Sequence, residues 1–162
     1  MHYWLMKSEP DEASIDDLAR AANQTLPWTG VRNYQARNFM RDQMAIGDGV
    51  LFYHSSCDVP GIAGVARVAS TPYPDPTQFD ASSVYYDVKS SPAEPRWMLV
   101  DVSFVCKTPL ITLPMLRAEP RLANMRVLAK GNRLSITPVS DEEWDVITTD
   151  LAGVSARALN KT

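Results

Sequence analysis

Residues 28–39 read Trp-Thr-Gly-Val-Arg-Asn-Tyr-Gln-Ala-Arg-Asn-Phe and lead into a predicted helix. A helix that only fills a core repeats apolar residues at three- and four-residue spacing, whereas few positions in this segment suit a core. The segment instead combines flat aromatic faces, amides that read hydrogen-bonding edges and guanidinium groups that meet an anion. That combination suits a nucleobase together with its phosphate. The side chains that carry this chemistry are Trp28, Arg32, Asn33, Tyr34, Arg37 and Asn38.

The 162 residues of the chain fit a single domain. A domain of this size buries about 70% of the surface that its unfolded chain exposes, so its core needs no disulfide or metal. The hydrophobic fraction of 45% and the charged fraction of 22% are ordinary for a soluble globular protein. Because no apolar run approaches the roughly 18 residues of a membrane span, we expect no membrane partner.

The cysteines and histidines indicate neither a metal nor a cofactor. Cys57 and Cys106 are far apart, and the first residues read as a strand rather than as a signal peptide. Two such thiols are typical of reduced cysteines, so we predict a cytoplasmic protein. His2 and His54 do not combine with these cysteines into the spacing of a metal site. We therefore expect no metal and no cofactor.

The net charge of −3 argues against a protein that coats nucleic acid through bulk electrostatics. The charges are unevenly distributed, because residues 102–138 carry several lysines and arginines against Glu119 alone. A local basic face on an acidic protein is compatible with this pattern. Charge alone, however, favours an ordinary solvated surface of mixed charge.

Hydrophobic periodicity and helix caps predict short helices among several strands. Ser14, Asn33 and Ser140 suit N-caps, and residues 140–143 form a capping box. The strands are not regularly interleaved with helices, so a parallel doubly wound sheet is not expected. An α+β fold, a small, curved, mostly antiparallel β-barrel with short flanking helices, fits better. Strands are predicted at residues 2–6, 50–53, 61–68, 96–105 and 133–137, and helices at residues 14–21, 33–41, 112–118 and from 140 onward.

Residues 70–95 contain five prolines as well as Tyr73, Phe79, Tyr85 and Tyr86. The segment is too aromatic for a flexible linker. We therefore predict a long ordered loop packed on the body of the domain, and loops of this kind are often functional. Its composition leaves a protein-interaction module open as a function.

Two predicted strands end in polar side chains, at positions where binding groups are often held. Residues 7–9, Lys-Ser-Glu, follow the first strand, and residues 53–55, Tyr-His-Ser, end the strand that begins at Val50. Lys7 and Glu9 face the same side of an extended segment, so they form either an acid–base pair or an ion pair that orients a ligand. An enzyme acting on a nucleotide or a small anion is therefore an alternative function.

The neighbouring His54 and Ser55 do not indicate a serine hydrolase. Adjacent residues of a strand point to opposite faces, and the Gly-x-Ser-x-Gly elbow of such enzymes is absent. The other histidine, His2, lies at the start of the chain. The glycine motifs that bind phosphate are absent as well. We therefore assign no catalytic residue.

Several long motifs resemble the EVE domain family of the PUA-like superfamily. The most extensive are Tyr-Trp-Leu-Met-Lys-Ser-Glu-Pro at residues 3–10 and the segment of residues 28–39. Further matches lie at residues 52–55, 60–64, 73–80, 95–97 and 133–135. The resemblance covers nearly the whole chain, and it divides the chain into an EVE domain at residues 2–148 and a C-terminal tail at residues 149–162.

The resemblance implies a PUA-like β-barrel with flanking helices and a pocket for a modified nucleobase, such as methylated or hydroxymethylated cytosine in DNA. The related YTH domains cage methyladenine in RNA. The resemblance also implies a reader that binds without catalysis, so the expected partner is DNA or RNA that carries a modified base. A nucleotide enzyme and a protein-interaction module remain the alternatives.

We predict one pocket in which the two strand ends meet the segment of residues 28–39. Small-molecule pockets are usually preformed, so a small anion is also expected to fit there. The base is expected to contact Ser8, Glu9, Trp28, Asn33, Tyr34, Tyr53, His54 and Ser55. Phosphate or another anion is expected to contact Lys7, Arg32, Arg37 and Arg133.

Overall fold

The computed structural model describes residues 1–160 as short helices around one main β-sheet. The strands are β1 (Tyr3–Ser8), β2 (Thr25–Pro27), β3 (Gly49–His54), β4 (Gly61–Val68), β5 (Tyr73–Pro74), β6 (Met98–Leu99), β7 (Asp101–Thr112) and β8 (Ile136–Val139). The α-helices are α1 (Ile15–Arg20), α2 (Tyr34–Asn38), α3 (Leu113–Arg117), α4 (Asp141–Asp145) and α5 (Ala156–Leu159). Short 3₁₀-helices lie at Ala22–Gln24, Pro76–Phe79, Pro120–Leu122 and Arg126–Leu128, and π-helical turns lie at Phe39–Gln43 and Val146–Leu151. None of the helices within residues 1–160 is long and apolar enough to cross a membrane.

Six strands form the main sheet in the order β2-β7-β4-β3-β1-β8. Neighbouring strands are antiparallel except β1 and β3, which run parallel with Tyr3 opposite Gly49 and Ser8 opposite His54. β5 and β6 form a separate two-stranded sheet. The predicted mixed α+β class with a mostly antiparallel sheet is therefore confirmed.

The main sheet is open, in contrast to the barrel expected from the sequence. Over residues 1–160, β2 and β8 are its two edges and do not pair with each other. Both edge strands are short, and each contains a proline, Pro27 in β2 and Pro138 in β8. Because proline donates no backbone N–H, it limits the ladder that such a strand can form with a further neighbour.

Side-chain alternation along β1 supplies a core on each face of the sheet. Trp4 and Met6 belong to the first core, which also contains buried residues of α1 and α2. Leu5 belongs to the second core, which also contains buried residues of α3 and α4. The helices therefore cover both faces of the sheet, while the C-terminal ends of β1 and β3 lie side by side at one edge.

The predicted helix caps are confirmed. The Ser14 hydroxyl accepts a hydrogen bond from the Asp17 backbone N–H, and the Asp17 carboxylate accepts one from the Ser14 backbone N–H. The Asn33 side chain accepts a hydrogen bond from the Ala36 backbone N–H at the start of α2. Ser140 forms the predicted capping box at the start of α4. These bonds satisfy amide donors that the first turn of a helix leaves without partners.

The last strand begins later in the chain than the sequence predicts. β8 starts at Ile136, whereas residues 133–135 lie before it without regular structure. The Asn132 side chain accepts a hydrogen bond from the Leu134 backbone N–H at 3.0 Å. Such a local bond favours a turn over an extended strand, so residues 133–135 become loop residues.

The proline-rich segment of residues 70–95 is ordered, as predicted, and buried Gln78 holds it together. The Gln78 side-chain amide donates to the backbone carbonyls of Asp75 and Trp97, both at 2.7 Å. Its side-chain oxygen accepts hydrogen bonds from the Ser90 hydroxyl at 2.6 Å and from the Trp97 backbone N–H at 3.0 Å. One side chain therefore joins both ends of the segment.

Residues beyond 148 contact the rest of the domain. Leu151, Ala152 and Leu159 pack against the second core. The helical turn Val146–Leu151 also spans the predicted boundary after residue 148. The division into a domain and a tail stays a prediction, and residues 161 and 162 of that tail lie outside the described residues.

Candidate functional site

A cavity of about 690 Å³ lies where the three segments singled out by the sequence meet. Its lining includes residues at the end of β1 and in the turn after it (7–9, 12 and 13), residues 26–33 before α2, and residues 52, 55 and 56 at the end of β3. Because β1 and β3 are parallel neighbours, the chain leaves both strands at the same edge of the sheet. The Ser55 backbone N–H donates to the Ser8 carbonyl at 2.9 Å and keeps the two exits together.

The cavity brings together most of the predicted site residues, but not all of them. Those in the lining are Lys7, Ser8, Glu9, Trp28, Arg32, Asn33, Ser55 and Arg133. Those outside the lining are Tyr34, Arg37, Tyr53 and His54. Further lining residues that the sequence did not predict include Glu12, Ala13, Leu18, Leu26, Phe52, Ser56, Tyr85 and Ser135.

Phe52, rather than Tyr53, supplies the β3 aromatic ring of the cavity. Consecutive strand residues point to opposite faces, and the β3–β4 ladder also shifts its register between these two residues. Phe52 therefore lies in the first core, beside the cavity, whereas Tyr53 lies in the second core. Burial raises the pKa of Tyr53. The Lys7 ammonium lies 5.9 Å from the centre of the Tyr53 ring.

His54 lies outside the lining and supports the cavity through its contacts with Ile15 and Phe52. Its Nε2 accepts a hydrogen bond from the Ile15 backbone N–H at 3.1 Å, so the neutral ring carries its proton on Nδ1. Its edge also meets Phe52, with 5.7 Å between ring centres. Burial lowers the pKa of His54, which favours the neutral form that the bond to Ile15 requires. His54 thus fixes the first residue of α1 against the strand that carries Phe52.

Tyr34 and Arg37 lie on the outer side of α2 and hold the segment of residues 70–97. Tyr34 is exposed and stacks on Trp97, with 4.8 Å between ring centres and 20° between planes. The Arg37 guanidinium lies 4.7 Å from the centre of the Tyr34 ring. It also donates to the Arg96 carbonyl at 2.9 Å. The two side chains are therefore engaged with other parts of the protein.

Trp28 and Phe52 form the aromatic wall of the cavity. Their rings meet edge to face at 5.4 Å between centres, a favourable arrangement for aromatic pairs. Trp28 is half-buried and packs against the first core. Its backbone N–H donates to the Val100 carbonyl at 3.0 Å, which fixes the segment beside β6 and β7. Trp28 therefore packs against the core and also belongs to the cavity lining.

Arg32 lines the cavity, but its guanidinium donates to protein groups on every side. Nε and Nη2 donate to the Tyr85 carbonyl at 3.1 and 2.8 Å, and Nη2 also donates to the Thr77 hydroxyl at 3.0 Å. Nη1 donates to the Val31 carbonyl at 2.9 Å and to the buried Asp75 carboxylate at 3.1 Å. The five N–H groups of an arginine are thus accounted for. The predicted anion-binding role of Arg32 stays a prediction.

Lys7 and Arg133 are the cavity cations whose charges remain available. Neither forms an ion pair with any residue in the described range 1–160. Lys7 is half-buried, and this burial lowers the pKa of its ammonium group. Arg133 is exposed in the loop before β8. Their charges are therefore available to an anion such as phosphate.

The lining also contains acidic groups. Glu9 and Glu12 are exposed, and both contact the cavity. The Tyr85 hydroxyl donates to both carboxylate oxygens of Glu12, at 2.5 and 2.6 Å. Burial, followed by this hydrogen bond, raises the pKa of Tyr85 to about 12. The lining therefore contains acidic as well as basic side chains.

The lining residues that the sequence did not predict differ in how far the sequence could have indicated them. Tyr85 lies in the proline-rich aromatic segment that the sequence marks as an ordered loop, but composition does not show which of its rings meets the cavity. Phe52 and Tyr53 are neighbours that point to opposite faces of the sheet, and the register shift between them makes it hard to predict which one faces the cavity. Glu12 lies in a turn after β1 that no motif distinguishes. Within residues 1–160, no group of three or more His, Cys, Asp or Glu side chains is placed to hold a metal ion.

Comparisons with known proteins cover nearly the whole chain. A family model described as EVE domain matches residues 2–149. Human thymocyte nuclear protein 1 is 42% identical over 163 residues, which span 90% of this chain and 72% of the human protein.

Solved structures of similar proteins have the same fold. A Pseudomonas putida protein is 50% identical and superposes with a TM-score of 0.85, covering 90% of this chain and 96% of that one. The human THYN1 protein, solved in complex with 5-methylcytosine containing DNA, is 42% identical with a TM-score of 0.85. That comparison covers 91% of this chain and 95% of the human chain.

Proposed function

Because this chain belongs to the EVE domain family, we propose that it is a non-catalytic module that binds a modified nucleobase, such as 5-methylcytosine, in nucleic acid. The observation that carries the proposal is the cavity that joins Trp28 and Phe52 to the polar ends of β1 and β3. The human relative in complex with 5-methylcytosine containing DNA supports the same class of ligand. The cavity and the human relative both support a nucleic acid with a modified base as the partner of this chain.

The size of the cavity favours a single extruded base. A volume of about 690 Å³ lies within the range of roughly 300–1,000 Å³ for small-molecule pockets. A base inside a duplex cannot reach such a cavity without leaving the stack, as it does in enzymes that flip their target nucleotide. The exposed part of Trp28 then offers a stacking surface to that base.

The proposal divides the site residues by what their side chains already contact. Trp28 stacks on the base, and Ser55 offers its hydroxyl to the edge of the base. The Ser8 hydroxyl donates to the Ala13 carbonyl at 2.6 Å, and the Asn33 side-chain oxygen accepts from the Ala36 backbone N–H at 3.0 Å. Ser8 therefore offers its oxygen to the base as an acceptor, and Asn33 offers its amide NH₂ group as a donor. Lys7 and Arg133 meet the flanking phosphate, because they lack ion-pair partners within residues 1–160. Among the remaining predicted residues, contacts with other parts of the protein are made by Arg32, Tyr34, Arg37, Tyr53 and His54. Direct contact with the ligand stays a prediction for these five residues and for Glu9.

Binding without catalysis is part of the proposal. His54, the histidine nearest the cavity, uses Nε2 to accept the bond from Ile15, so it is not free to act as a base on a ligand. A PUA-like fold built on this open sheet, and a cytoplasmic location, belong to the same proposal.

The test compares binding to oligonucleotides that differ only in one base. Fluorescence anisotropy should show tighter binding to DNA with 5-methylcytosine than to the same DNA with cytosine, without product on mass spectrometry. Ser55→Trp places an indole in the cavity and should abolish that preference. Ser82→Trp, at an exposed turn outside the lining, is the matched control and should retain it.

Two results would contradict the proposal. Equal affinity for modified and unmodified bases, across DNA and RNA, would remove the reader function. Turnover of the nucleotide by the wild-type protein, lost in Ser55→Trp and retained in Ser82→Trp, would favour the enzyme alternative instead.

A further inference from the structure

Tyr85 connects two walls of the cavity that no strand joins. Its hydroxyl donates to the Glu12 carboxylate in the turn after β1. Its backbone carbonyl accepts two hydrogen bonds from Arg32 in the segment before α2. One residue of the long loop therefore links residues 9–13 to residues 28–33, and its own ring contributes to the lining between them.

The Tyr85 ring packs closely against the backbone of Gly30, where there is no room for a side chain. Gly30 has a φ of +86°, in the region that favours glycine. A Cβ atom at this position would lie 2.6 Å from Cζ of Tyr85, which is closer than real Cβ contacts. The ring thus lies directly on the backbone of the wall, and a side chain at residue 30 would displace it.

A buried carboxylate fixes the other end of this arrangement. Asp75 is fully buried and accepts hydrogen bonds from the Gly30 backbone N–H at 2.8 Å and from Arg32 at 3.1 Å. It also accepts bonds from the backbone N–H and hydroxyl of Thr77. The wall of residues 28–33 is therefore held rigidly on the side of the long loop. On the side of residues 9–13, the tyrosine hydroxyl is the contact that joins loop to turn.

We propose that Tyr85 is a positioning and specificity-determining residue, which sets the width of the base pocket by tethering the turn at Glu12 to the wall at Gly30. This inference rests on the proposed function and deepens it. A pocket held at one width gives a base with an added methyl group better contact than the unmodified base. If the walls can move apart, binding must first order them, and this ordering costs free energy. The pocket then loses its preference for the methylated base over the unmodified base.

The test releases the tether while keeping the ring. Tyr85→Phe removes the hydroxyl, and Glu12→Gln removes the charged acceptor. Each variant should lower the affinity for DNA with 5-methylcytosine about fivefold to tenfold, as expected when one solvent-exposed hydrogen bond of ordinary strength is weakened or lost. Affinity for the cytosine oligonucleotide should change less, so the preference between the two bases narrows. The double variant should be no worse than Tyr85→Phe alone, because without the hydroxyl the change at Glu12 has no bond left to weaken.

Matched controls and a ligand-free measurement separate this role from general stability. Tyr86→Phe and Glu94→Gln change the same residue types at exposed positions outside the lining, and they should retain the preference. Hydrogen exchange of the free protein should accelerate in Tyr85→Phe at the Ala13 amide, in the turn that the hydroxyl tethers. The Gly30 amide, which donates to Asp75, should exchange close to the wild-type rate. Amides in β1 and β3 should exchange at the wild-type rate.

The failures of the two proposals differ. A Tyr85→Phe protein with the full preference and unchanged exchange at Ala13 would overturn the role of Tyr85, even if the wild-type protein is a reader. A wild-type protein without preference for the modified base would overturn the proposed function itself, and with it a role of Tyr85 in base discrimination.

Discussion

At the scale of single residues, Trp28 has both a structural and a binding surface. It packs against the first core and meets Phe52, yet it is only half-buried and faces the cavity. We expect Trp28→Ala to weaken binding of the modified oligonucleotide by about 1–3 kcal/mol, the typical value of one base–aromatic stack. Stability should fall by less than the roughly 3–5 kcal/mol of a fully buried tryptophan. Anisotropy titrations and urea denaturation measure the two quantities.

Trp144 provides the comparison for this prediction. It is buried in the second core and stacks on Tyr3 at 4.4 Å between ring centres. Trp144→Ala should cost about 3–5 kcal/mol of stability and leave binding unchanged once the folded fraction is taken into account. If Trp28→Ala behaves in the same way as Trp144→Ala, Trp28 is a core residue and the stacking role is wrong.

His54 gives the protein a pH dependence whose sign follows from its surroundings. Burial lowers its pKa in the folded state below the ordinary value of 6.5, so the unfolded chain binds the proton more readily. Stability therefore rises with pH in this range, and the free energy of unfolding should fall as the pH drops below about 6.5. His54→Gln keeps an acceptor for the Ile15 N–H and should flatten the profile between about pH 7 and 5.5. A ring resonance of His54 that titrates at or above 6.5 by NMR would contradict this explanation.

The sequence predicts the site residues at strand ends better than those whose ring direction depends on packing. Residues 7–9 and Ser55 line the cavity because parallel pairing of β1 with β3 brings the polar exits together. Tyr53 does not, since its neighbour Phe52 takes the cavity side of the strand. Tyr34 is held away by stacking on Trp97, more than sixty positions along the chain. Such a contact cannot be inferred from local composition.

At the scale of elements, the turn at Gly30 combines backbone strain with a close contact. Gly30→Ala would place an L side chain at φ +86° and its Cβ at 2.6 Å from the Tyr85 ring. Gly131→Ala is the matched control, because Gly131 has a φ of +77° and a Cβ there would meet nothing within 4 Å. Both variants should lose about 1–2 kcal/mol for the left-handed backbone. Only Gly30→Ala should lose more, and only it should change the affinity for the oligonucleotide. Equal losses of stability, with unchanged affinity in both, would show that the Tyr85 contact has no effect on the pocket.

Elements with strong local signals were predicted correctly, whereas edges and connections were not. The caps at Ser14, Asn33 and Ser140 are local hydrogen bonds, so their residue types indicate them directly. The strand at residues 61–68 has the bounds expected from its apolar run. β8 is displaced toward the C-terminus by the Asn132 turn. The open edges of the sheet depend on which strands pair, and hydrophobic patterns do not specify that pairing.

At the scale of the whole molecule, the main sheet positions the polar residues of the cavity, and the long loop of residues 70–97 supplies a further wall. Parallel pairing of β1 and β3 creates the edge at which the cavity opens. Asp75, Arg32 and Tyr85 then attach residues 70–97 to that edge through hydrogen bonds on both sides of the cavity wall. The loop is thus part of the site, where its proline-rich segment forms an ordered wall of the cavity. This accounts for the segment without the protein-interaction role that its composition left open.

The net charge of −3 and the small number of available cavity cations predict a weak dependence of binding on salt. Lys7 and Arg133 are the lining cations without ion pairs in the described chain, so about two phosphates are neutralised. For a single strand, each such contact contributes about 0.7 to the slope of log K against log salt, which gives a slope of about −1.4. A tenfold rise in potassium chloride should therefore weaken binding about 25-fold. Arg133→Gln should reduce the slope by about 0.7, whereas Arg157→Gln, an exposed arginine on α5 outside the lining, should leave it unchanged. A slope steeper than about −4 would indicate a surface that tracks many phosphates, and the single-base pocket would then not be the main source of affinity.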